Sequence, residues 1–166
     1  MTKTKKLTLL GIFTALSIVL SFVEMLLPPI YAAVPGVKIG LANIVIIFLL
    51  YRFSFKSAAA VSLIRVILVS LLFANGMVFI YSFAGAVLSL CFMGILKKIN
   101  LFSAVGVSVV GAVAHNLGQV ITAAFLMETA EIGYYMIVLS ISGTLAGIAV
   151  GLVSAYILKY TERFKF

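Results

Sequence analysis

Apolar runs separated by short polar breaks organise this chain from Leu7 to Leu158. They fall at approximately Leu7–Leu27, Lys38–Tyr51, Ser57–Phe73, Met77–Ile95, Phe102–Met127 and Ile132–Leu158. No run alternates apolar and polar residues as a barrel strand does, so each predicts a helix. Crossing a bilayer takes about 20 apolar residues. The second and third runs, at roughly 14 and 17 residues, are short for that, and the fifth and sixth are long enough to tilt. Between the first two runs lie Pro28, Pro29 and Pro35, in "PPIYAAVPGVKIGLANIVIIF". Irregular backbone at membrane depth is tolerated only where it meets protein or water. The segment 28–37 is therefore expected to form a lid over a pocket.

Composition decides what solvent these helices meet. Of 166 residues, 64% are hydrophobic and 10% are charged, more apolar side chain than a soluble domain of this size can hide. The expected fold class is an all-α integral membrane protein, one domain over residues 1–166 with six transmembrane helices. Met1–Lys6 is basic like the start of a signal peptide, but apolar segments continue to Tyr160. Cys91 is alone, so no disulfide framework exists within the chain.

Charge supplies orientation. Lys3, Lys5 and Lys6 precede the first run, Arg52 and Lys56 follow the second, Lys97 and Lys98 the fourth, and Lys159, Arg163 and Lys165 the sixth. Six spans with both termini cytoplasmic put all ten cations inside, as the positive-inside bias requires. The net charge of +8 is thus mainly a topology signal, and nucleic acid is set aside as a partner.

Lys38 and Arg65 break that pattern. Arg65 lies within "SAAAVSLIRVILVSLLF", about 12 Å past the start of its helix. A cation at that depth faces a partner, such as Glu24 or helix carbonyls, or awaits an anionic ligand. Lys38 is either an interfacial anchor or a charge beside the free N–H groups of a helix start, with Asn43 beneath it. In "GAVAHNLGQVITAAF", His115 and Gln119 share a face, with Asn116 about 100° round. Interhelical hydrogen bonding accounts for such residues, and so does a binding site. Lone His115 has no second His or thiol cluster to complete a metal site. Lys38, Asn43, Arg65, Asn75, His115, Asn116 and Gln119 converge in the outer half of the bundle on this reading, as the placed polar groups of an apolar pocket. Tyr31, Tyr81, Tyr134 and Tyr135 lie on the same side, as stacking surface or as an interfacial belt. Gly143, Gly147 and Gly151, at four-residue spacing, predict close helix packing.

"PGVKIGLANI", the buried Arg65, "YSFAGAVLSLCFM" and "GAVAHNLGQ" resemble the bacterial Gx transporter family, often labelled heptaprenyl diphosphate synthase component I. That family is similar to the substrate-binding (S) components of energy-coupling factor (ECF) transporters. The resemblance implies a six-helix bundle in the bacterial cytoplasmic membrane that takes up a small, anionic or amphipathic nutrient. It also implies docking to a transmembrane coupling subunit driven by two ATPases, to which Gly11 and Ala15 are the approximate match. The alternative is a non-catalytic accessory subunit of an isoprenoid, quinone or flavin-linked redox complex. Prenyl elongation needs carboxylate-held Mg²⁺, whereas this chain has no Asp, four scattered Glu and no phosphate-binding loop motif. Neither enzymatic activity nor a resident cofactor is expected.

Overall fold

The computed structural model describes residues 2–26, 39–73 and 75–163, with Ala130 described by its backbone alone. The expected lid 28–37, with Tyr31, and Lys38 lie outside the described residues. Six α-helices follow one another: α1 Lys3–Leu26, α2 Asn43–Arg52, α3 Phe55–Phe73, α4 Gly76–Ile99, α5 Ala104–Leu126 and α6 Tyr135–Thr161. A short 3-10 helix, Ala130–Tyr134, leads into α6. Five of the helices, all but α2, are long and apolar enough to cross a membrane. Their outward faces expose Leu71 (76%), Ile137 (68%) and Leu145 (62%). Side chains of this kind belong against hydrocarbon, and the chain is a multi-pass membrane protein.

The second helix is shorter still than its apolar run of roughly 14 residues suggests. It starts at Asn43, five residues after Lys38, and its ten residues rise only about 15 Å. The apolar run continues upstream, but Ile39 and Gly40 have no regular helical structure and Leu41–Ala42 form a turn. Gly40 takes φ +79°, a left-handed conformation that a helix cannot include. Elsewhere the polar residues set the boundaries. Asn75 caps α4, its side chain accepting from the Val78 N–H at 3.0 Å, and Ser103 caps α5 by accepting from Gly106 at 3.2 Å. Asn100 ends α4 in a left-handed turn, its N–H bonded to the Leu96 carbonyl. The first helix begins at Lys3 rather than Leu7, because nothing in the lysine-rich start breaks it.

Packing makes α2 the axis of one half of the bundle. Five buried α2 side chains, Val45, Ile46, Ile47, Leu49 and Leu50, form a cluster with Ala58 and Val61 of α3, Leu90 and Met93 of α4, Val107 of α5 and Val150 of α6. Phe13 of α1 adds an edge to Phe48 and Phe53, with ring centroids 5.4 and 5.9 Å apart. Around this core α3 meets α4, α4 meets α5, α5 meets α6, and α6 returns to α2, while α1 leans on α3. Small residues permit the closest approaches. A Cβ on Gly118 would lie 2.9 Å from the Ala84 carbonyl oxygen of α4. One on Gly147 or Gly151 would lie 2.7 Å from the Cα of Val109 or Val105 of α5. The four-residue glycine ladder of α6 is therefore internal packing.

Basic side chains close the dense end. Lys97 donates to the Leu50 carbonyl near the end of α2 and lies 5.5 Å from the Tyr51 ring centroid. Arg52 Nη2 donates to the Thr161 carbonyl at 2.6 Å. Cations at helix C-termini satisfy carbonyls that have no partner within the helix and oppose the negative end of the helix dipole.

A polar chamber beyond the short helix

Because α2 is half-length, it fills only one half of the bundle. Beyond its first turn lies a cavity of about 590 Å³. Its walls come from the last turns of α1, the second half of α3, the first turns of α4, and the middle of α5 and α6. Six of the seven residues expected at a site line it: Asn43, Arg65, Asn75, His115, Asn116 and Gln119. Met25, Ile39, Val66, Val69, Phe73 and Val78 supply apolar wall.

The six differ in what else they do. Asn75 is exposed, and its oxygen is committed to capping α4. Asn116 donates to the Leu139 carbonyl of α6 at 2.7 Å, and its amide nitrogen fills the space that a side chain on Gly143 would need. Both are thus structural residues that border the chamber. The side-chain amides of Asn43 and Gln119 have no hydrogen-bond partner among the described residues, and both residues are half-buried with a face on the chamber. His115 packs beneath Gly85, where an added Cβ would come within 3.1 Å of the imidazole Cε1.

Arg65 stands on the opposite wall. Its Nη1 reaches Ser21 Oγ at 3.5 Å, the outer limit of a hydrogen bond, and its Nε is buried with no partner among the described residues. Glu24 is close enough for its charge to act on Arg65. No direct ion pair joins the two among the described residues; one oxygen of the Glu24 carboxylate accepts the Gly40 N–H. This corrects the expected anion site at the α2 start. The N–H groups of Asn43, Ile44 and Val45 bond to the carbonyls of Gly40, Leu41 and Ala42 at 2.8, 3.2 and 3.2 Å. Glu24 is the built-in anion of that turn.

Four lining residues escaped sequence reasoning as site candidates: Ser21, Glu24, Ser70 and Ser82. Thr14, Ser17, Ser21 and Glu24 recur at helical spacing along one face of an otherwise apolar α1, and that stripe was the available signal. Among the tyrosines, Tyr134 and Tyr135 are 79% and 48% exposed, away from the chamber lining and at the position of a belt. The Tyr81 hydroxyl is buried without a partner.

Gly40 connects chamber and turn, so its replacement tests the local geometry. Gly40→Ala places a Cβ at positive φ and 3.2 Å from Asn43 Nδ2. A cost of about 1–2 kcal/mol is expected. It should read as a fall of several degrees in Tm of the purified protein, with helicity unchanged by circular dichroism.

A membrane bundle that encloses a polar chamber above a plugged half defines a class, that of multi-pass helical proteins with an intramembrane cavity. More particularly, the chain belongs to the family described as heptaprenyl diphosphate synthase component I, whose model matches residues 13–157. Comparison with curated proteins and with solved structures gives no match.

Proposed function

We propose that this protein is the substrate-binding membrane subunit of an ECF-type transporter, taking up a small anionic or amphipathic nutrient across a bacterial cytoplasmic membrane. One observation carries the reading: residues from α1 to α6 line a single chamber of about 590 Å³, within the size range of small-molecule sites. On this reading Asn43, Arg65, His115 and Gln119 make the direct contacts. The dense, cationic end faces the cytoplasm and the chamber faces out, in keeping with the positive-inside bias. Gly11 and Ala15 are exposed on α1, with open space around Gly11, which supports a coupling subunit docking there.

Native mass spectrometry of protein purified in mild detergent tests this reading. A small molecule retained at near one copy per chain is expected, and chains that emerge empty from every growth medium would count against it. The family description favours a second reading, an accessory subunit beside an isoprenoid synthase. Stable co-purification with a prenyl diphosphate synthase by a chain that retains nothing distinguishes it.

A further inference from the structure

Arg65 presents an unmet demand inside the chamber. Among the described residues its Nε is sealed from solvent without an acceptor, and its one hydrogen bond, to Ser21, is stretched to 3.5 Å. A buried guanidinium is costly unless its donors are met. Glu24, whose charge acts on it, makes no ion pair with it among the described residues and leans to the Gly40 N–H. The Ser70 hydroxyl, further along α3, also borders the chamber with no partner among the described residues. We propose that the chamber holds its ligand by an oxyanion, a carboxylate or a phosphate, bound in two-point fashion across the two terminal nitrogens of Arg65. This rests on the chamber being a binding site and names the head group that it selects. The guanidinium fork matches two oxygens at once, a geometry that an ammonium cannot reproduce.

The rest of the ligand follows from space and lining. About 590 Å³ is room for some twenty waters at ~30 Å³ each. A bare carboxylate or phosphate leaves most of that unfilled. Asn43, Gln119 and Ser82, whose side chains also have no partner among the described residues, are neutral groups that both donate and accept. The ligand is therefore an anion at one end with an uncharged, hydrogen-bonding body.

The test compares probes that share a ring and differ in head group: benzoate, phenyl phosphate, benzamide and benzylamine. Calorimetry and thermal shift on detergent-purified protein should show binding of the first two and not of the last two. Arg65→Lys keeps the charge but loses the fork, and should weaken benzoate and phenyl phosphate at least tenfold. Equal binding to Arg65→Lys, or benzylamine or benzamide matching benzoate, overturns the assignment. Should Arg65 variants fail to fold, the order of head groups on the wild-type protein decides alone. Dihexanoylphosphatidylglycerol separates the sources: if it outcompetes phenyl phosphate, the oxyanion belongs to a lipid, and otherwise to a soluble molecule. Benzamide binding that is lost in the cavity-filling variant Ala112→Phe/Ala146→Phe would keep the chamber as a site and reject the oxyanion. Silence from every probe counts against both.

Discussion

Gly147→Leu is expected to yield no stably folded protein. A Cβ at that position would sit 2.7 Å from the Val109 Cα and 3.2 Å from the Ser108 carbonyl oxygen. Both neighbours are backbone, so no rotamer change relieves the clash and α5 and α6 must separate. Overpacking of flexible cores costs about 1–3 kcal/mol, and a clash against rigid backbone exceeds that. Gel filtration in detergent should show aggregate in place of a monodisperse peak. Gly11→Leu is the matched control, since nothing lies within 4 Å of a Cβ there, and it should leave the peak unchanged.

The second large effect is on retention of the bound molecule, with stability spared. Ala112 and Ala146 line the chamber from α5 and α6. Ala112→Phe/Ala146→Phe projects two rings into existing space, displacing no packed side chain. Retained small molecule in native mass spectra should fall at least tenfold, while the Tm of the emptied protein stays within a few degrees of wild type. Undiminished retention would move the site elsewhere.

How far the sequence foretold these features varies with how each residue uses its polarity. Arg65, His115 and Gln119 were legible because hydrocarbon offers them nothing, so each stands out in an apolar helix. The length of α2 was not. Ile39, Leu41 and Ala42 are as apolar as the helix they precede, and only the dihedral of Gly40 separates turn from helix. Asn75 and Asn116 show the converse problem: an amide that caps a helix or bridges to a neighbouring carbonyl reads in sequence like one that awaits a ligand. Serines hide best. Ser17 is fully buried and Ser21 nearly so, and a hydroxyl can bond to its own helix, as Ser17 does to the Thr14 carbonyl at 2.8 Å. The glycines of α6 were legible as packing residues, but their partner, α5, emerged only in three dimensions.

The stubby second helix has a consequence for permeation. Its side chains from Val45 to Leu50 are sealed on all sides. Between them and the chamber lies only a void of about 10 Å³, at the threshold for one water molecule. Among the described residues the chamber thus has a packed base. On the proposed function, a guest lodged there is insulated from the far leaflet until α2 shifts or its surrounding helices spread.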